Sequence, residues 1–187
     1  MKRLALVILP VILTAWAHAA QVPAVQKLLP AANAVKGFEV LPDSLVYGKG
    51  DDLSKIYDGG YELYTKNGVI DAARQMYRRA GDYVEVTVHT MKSDKAATNF
   101  LKYWQKEHKV GRLTVSEGWT GFVVTKPNVT AYFARGAYFV TVSAFHSQDK
   151  AIKDVGAFRS AISKAIPGRQ PSKHPARSRT VGGGKKK

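Results

Sequence analysis

Four short strand-like segments follow one another at 113–116, 121–125, 129–134 and 137–145, and their spacing constrains the fold more than any other feature. Only Glu117, Gly118 and Trp119, then Lys126, Pro127 and Asn128, then Arg135 and Gly136 stand between them as turn residues. Parallel neighbours need a crossover of about a dozen residues or more, so connections this short demand antiparallel pairing.

The same grammar recurs upstream. A strand is expected over 69–79, a turn at Gly81 and Asp82, and a second strand over 83–90. In that second strand Val84, Val86 and Val88 alternate with Tyr83, Glu85, Thr87 and His89, so one face is apolar and the other polar. Shorter extended pieces are expected at 35–40 and 44–47, separated by Pro42 and Asp43. Ser93 or Asp94 caps a helix whose stripe is Ala97, Phe100, Leu101 and Trp104, ending near His108 and Lys109. A last helix begins at 147–149, carries Ile152, Val155, Ile162 and Ile166 in register, and stops at Pro167 and Gly168. The expected fold is α+β: a single domain, mainly an antiparallel sheet of about five to seven strands with about three helices on one side. A faint internal echo, strand then Asp-Lys-Ala helix start, occurs at 86–96 and 140–151, and the common physics of capping accounts for it.

The stretch 51–68 predicts one amphipathic helix, with Leu53, Ile56, Tyr57, Gly60, Leu63 and Tyr64 on one face. Asp51 or Asp52 caps it, and Asn67 with Gly68 stops it. Gly59 and Gly60 in its middle are costly, about 1 kcal/mol each against Ala, and imply close approach of a strand or a ligand. Four apart on such a helix, Asp58 and Glu62 share a face and suit cation binding, acid–base work or plain solvation. Residues 56–64 resemble the signature of an uncharacterised family of exported bacterial proteins, a domain of unknown function. Its motif runs Asn or Asp, Gly, Gly or Ala, any residue, Glu, Leu, Tyr. Gly59, Glu62, Leu63 and Tyr64 match in place, Asp58 stands for the usual Asn, and Tyr61 for the usual Ala. The resemblance extends weakly over 29–166. It implies an exported α+β domain and brings no activity.

The first residues read as a processing signal. Lys2 and Arg3 precede an apolar run at 4–16, and Ala17, His18 and Ala19 form a small-x-small cleavage site. The expected organisation is a signal peptide at 1–19, the α+β domain at 20–166 and a disordered basic tail at 167–187. The apolar run is shorter than the roughly 20 residues a bilayer span needs, so no transmembrane segment is expected after cleavage. The chain carries a formal charge of +15. Seven of its basic residues follow Ile166 with no acid among them, so much of that charge belongs to the tail. A tail rich in Pro, Ser, Gly, Lys and Arg buries too little to fold, and it is suited to contact anionic lipid, polysaccharide or nucleic acid. With no cysteine, the fold depends on an ordinary core.

Catalytic and cofactor signatures are sparse. The sequence lacks His-Glu-x-x-His, Gly-x-Ser-x-Gly and a phosphate loop, and no cofactor or metal is expected. His89 and His146 each lie between a strand end and a helix start, where a metal site would need Glu85 or Asp149 as a further ligand. Trp119, between Gly118 and Gly121, is either an exposed stacking platform for sugar or peptide, or core. The reading favoured by the residues is a non-catalytic binding or scaffold module of the cell envelope. Its expected groove runs beside Gly59 and Gly60, rimmed by Asp58, Glu62, Tyr64 and Trp119. The alternatives are a small hydrolase using Asp58 and Glu62, with His89 or His146, and an interaction protein targeted by its tail.

Overall fold

The computed structural model describes residues 24–116 and 118–167; the expected signal peptide at 1–19, nearly all of the expected tail at 167–187, and His174 lie outside them. A 3-10 turn, Ala24–Leu28, opens the described chain. Two short strands follow, β1 (Glu39–Val40) and β2 (Val46–Lys49), then a second 3-10 turn, Gly50–Lys55, and helix α1 (Tyr61–Lys66). Strands β3 (Val69–Arg79) and β4 (Asp82–Met91) form a long hairpin. Helix α2 (Asp94–Glu107) carries the chain to the far edge of the sheet. From there β5 (Thr114–Ser116), β6 (Trp119–Val124), β7 (Val129–Arg135) and β8 (Tyr138–Ala144) meander back, and α3 (Gln148–Ala165) closes the described chain.

All pairings are antiparallel, as the short turns require. The eight strands run β1-β3-β4-β8-β7-β6-β5, with β2 also on β3, so the sheet exceeds the expected five to seven. Its seam is the pairing of β4 with β8, where Val84 to Thr90 face Ala144 to Tyr138. Among the described residues no helix is long and apolar enough to cross a membrane.

Helices cover both faces, not one. Val84, Val86 and Val88 point with Phe133, Val140 and Val142 toward Val155, Phe158 and Ile162 of α3. The opposite face, polar when β4 is read alone, is buried over part of its extent as well. Its row through His89 continues into Phe139 and Ala134 on the neighbouring strands, and Leu53, Phe100 and Leu101 pack on it. Leu53, Phe100, Leu101 and Phe139 are all fully buried, each worth about 1.5–3 kcal/mol, which is enough to seat α2 there. Ser93 caps α2 as its sequence predicts, its Oγ accepting from Ala96 N–H at 3.1 Å.

The stretch 51–68 is not one helix. It is a 3-10 turn and a short α1, broken at Gly59 and Gly60. Both glycines are left-handed, with φ of 78° and 72°, and a Cβ on either would meet nothing within 4 Å. The pair therefore exists for backbone conformation, where side chains clash with the chain itself, and not for close approach of a strand.

Candidate functional site

The break at Gly59 and Gly60 folds the segment back on itself. In an unbroken helix Tyr57 and Tyr64 would stand about 10 Å apart along the axis, at roughly 1.5 Å per residue. Their rings instead stack with centroids at 3.7 Å, nearly parallel at 16°. Tyr64 also meets Phe100 of α2 edge-on at 5.4 Å. The stacked pair forms a roof over the sheet.

Register builds the floor. Arg74, Thr87, Thr141 and Tyr132 form one row across β3, β4, β8 and β7. Glu85, Ser143 and Thr130 form the next row, displaced by two residues and so on the same face. Between this floor and the roof lies a cavity of about 500 Å³, bordered also by Asp58, Gly59, Gly60 and Trp104. That volume is within the range of about 300–1,000 Å³ common for small-ligand sites. Hydroxyls dominate the floor, and Thr130 Oγ1 and Ser143 Oγ lie 3.0 Å apart as a bonded pair. Trp104 borders the cavity with its Nε1 buried and without a hydrogen-bond partner among the described residues.

Two acidic residues, Asp58 and Glu85, face one basic residue, Arg74, in the lining. Arg74 donates from Nη1 to the carbonyl oxygen of Ile56 at 2.9 Å, and its Nε lies 3.8 Å from Glu85. Burial raises the Glu85 carboxyl above its ordinary range, with Arg74 opposing the shift. Burial also pushes Tyr57 well above the usual tyrosine range and Tyr64 up to about 12. Both phenols are therefore neutral hydrogen-bonding groups at ordinary pH. His89 lies under the roof, fully buried. Burial lowers its imidazole to about 4, against the smaller opposing effect of its bond to the Phe139 carbonyl. It is neutral, with one ring nitrogen bonded to that carbonyl and the other to the Tyr57 hydroxyl.

The sequence-expected rim is partly assembled. Asp58, Gly59, Gly60 and Tyr64 line the cavity. Glu62 is exposed and outside the lining, because the helix that would place it on a face with Asp58 is interrupted between them. Trp119 is elsewhere. It is a strand residue of β6, buried in the core beneath α3, with the Arg159 guanidinium 4.3 Å above its ring. His89 and His146 do not meet, since His89 pairs with Phe139 at the start of β8 and His146 follows its end. Among the described residues, Asp82, His146 and Asp154 bring donor atoms within 4.8 Å of one another. Arg79 already fills that cluster, bonding both oxygens of Asp154 and one of Asp82.

Sequence reading missed Arg74, Thr130, Tyr132, Thr141 and Ser143. The available signal was the polar half of each alternating strand, which β4 displays at Glu85 and Thr87.

No protein-family model matches the chain, and no curated protein matches its sequence. Among solved structures it is similar to the extracellular domain of PknH from Mycobacterium tuberculosis. The two share 14% identity at a TM-score of 0.47, over 75% of this chain and 95% of that one. Likeness at this level says nothing about ligand or activity.

Proposed function

We propose that this protein is an exported, non-catalytic binding module of a cell envelope that takes a small polar ligand into the cavity between Tyr64 and the sheet. The observation that carries the reading is the cavity's construction: a floor of hydroxyls with one Arg–Glu pair, under an aromatic roof. Aromatic faces suit the apolar side of a ring-shaped ligand, and hydroxyls serve as donor or acceptor. An uncharged polyhydroxylated molecule, such as a sugar unit, matches this chemistry better than an anion, because Glu85 and Asp58 outnumber Arg74 in the lining.

Export is supported by the leader pattern at 1–19 and by the family resemblance of residues 56–64. The basic residues after Ile166 suit contact with an anionic envelope surface. A hydrolase reading through Asp58 and Glu62 loses its geometric basis with Glu62 outside the cavity.

The test is a thermal-shift screen of the full chain against neutral sugars, acidic sugars, amino acids and short peptides. A ligand at about 100 times its dissociation constant adds roughly 2.7 kcal/mol of stability. The expected hit is a neutral sugar whose shift disappears in Thr141→Val. A hit confined to anions, or one that survives Thr141→Val and Ser143→Ala together, overturns the reading.

A further inference from the structure

The outer edge of β6 is only half covered. β5 pairs with Trp119, Thr120 and Gly121, and Phe122, Val123 and Val124 run on with β7 at one side alone. No other described backbone group bonds to these three residues. Successive residues of an antiparallel strand direct their N–H and C=O alternately to the two sides, so at least one of the three offers both groups outward. An unpaired edge of this kind is a template for another strand.

Two hollows flank this edge, of about 300 and 440 Å³, and they share Val123 and Arg159 as walls. Val123 is 42% exposed, and Ile152, on the facing side of α3, is 46% exposed. The edge therefore has a strand on one side, a helix on the other, and two recesses along it, one of mixed lining and one mainly apolar. Its charge is one-sided. Arg112 and Arg159 line the hollows and no acidic residue does. Neither arginine belongs to an ion pair among the described residues. The Nε of Arg159 is buried without a hydrogen-bond partner among the described residues.

We propose that the free edge at Phe122, Val123 and Val124 docks an extended acidic segment of another protein, added as a further strand beside β6. Main-chain hydrogen bonds hold such a segment, and alternate side chains select it. Here its apolar side chains enter the hollows and its carboxylates meet Arg159 and Arg112. Charge decides among occupants. The chain's own tail carries seven basic residues and no acid after Ile166, so the two arginines repel it. A second copy joined edge to edge brings the arginines of both copies to one seam.

The test uses the full chain and a labelled, end-blocked hexapeptide of alternating valine and glutamate, followed by fluorescence anisotropy. The control peptide replaces glutamate with lysine. The glutamate peptide is expected to bind, more weakly as salt rises, and the lysine peptide is not. Arg159→Gln is expected to weaken binding about tenfold, the loss of one charge-assisted bond. Because Arg159 also stacks on Trp119, Arg112→Gln and Val123→Glu serve as further variants, each checked for an unchanged melting temperature. Equal binding of both peptides, binding unchanged in all three variants, or no binding at millimolar peptide overturns the proposal. Two other results also overturn it. Self-association that Val123→Glu abolishes assigns the edge to a second copy. Trypsin protection of residues 168–187 that Val123→Glu removes assigns it to the chain's own tail.

Discussion

The hydroxyl of Tyr57 donates to Nε2 of His89, and the tautomer that accepts it is set from the far side of the ring. There Nδ1–H donates to the carbonyl oxygen of Phe139 at 2.9 Å. One buried imidazole thus ties the roof of the cavity, through Tyr57, to the seam between β4 and β8. The ring has to remain neutral for this, since a protonated Nε2 donates and cannot accept.

Stability is therefore expected to depend on pH through His89. Its pKa falls from 6.5 to about 4 on folding, so the unfolded chain binds the proton more readily. The stabilisation is complete above about pH 6.5 and is lost as the pH falls toward 4. The shift is worth about 3 kcal/mol over that window. Urea titrations from pH 7 to 4 are expected to show this fall in the wild type and a flatter profile in His89→Gln. Parallel profiles would assign the acid sensitivity to other groups.

Removing the Tyr57 hydroxyl isolates the roof-to-sheet bond. Tyr57→Phe keeps the ring on Tyr64 and leaves Nε2 of His89 buried without a donor. Such an unsatisfied acceptor costs about 1–3 kcal/mol. The loss is expected to shrink when the same change is made in a His89→Phe background, because no acceptor then remains. An undiminished loss in that background would mean that the hydroxyl acts through another partner.

The glycine pair yields a prediction about side-chain type. Gly60 precedes α1 at φ 72°, with empty space where a side chain would go. Strain is then local to the backbone, and residues that tolerate the left-handed region should be favoured. Gly60→Asn is expected to melt close to the wild type, and Gly60→Val several degrees lower. If both lose equally, it is space and not conformation that requires glycine there.

The strands were legible because alternation and turn residues are local signals. Val84, Val86 and Val88 announced a buried face, and the turns after 79, 116 and 135 fell where glycine punctuates the chain. The cavity was legible on its roof and not on its floor. Gly59 and Gly60 stand out within one segment, whereas Thr87, Thr141 and Arg74 become neighbours only through the register of three strands. Trp119 shows the limit of reading glycine as a turn. Gly118, at φ 81°, does make the turn, but Gly121 lies inside β6, where a Cβ would fall 2.4 Å from the carbonyl oxygen of Tyr132. That second glycine serves close approach of the neighbouring strand, so the tryptophan between the two is a core residue.

Asp154 holds the other face of the molecule together. Its carboxylate accepts from Arg79 Nη1 at 3.0 Å and lies 3.0 Å from His146 Nε2, joining α3 to the end of β3. The Asp154 side chain is 10% exposed and that of His146 5%, so this contact is shielded from water, whereas Arg79, 33% exposed, keeps access to water and to Asp82. Asp154→Asn keeps the shape and removes the charge, and it is expected to cost about 1.5–3 kcal/mol in urea unfolding, the range for weakening hydrogen bonds to a charged group. Asp82→Asn touches the same guanidinium from a more exposed position, and the expected loss is below about 1 kcal/mol. Pairing Asp154→Asn with Arg79→Met separates the two contributions: a loss that persists in full without Arg79 belongs to His146 and the helix, and one that shrinks belongs to the ion pair. The cavity lies on the opposite face of the sheet, so Asp154→Asn is expected to bind the same cavity ligand as the wild type while it remains folded.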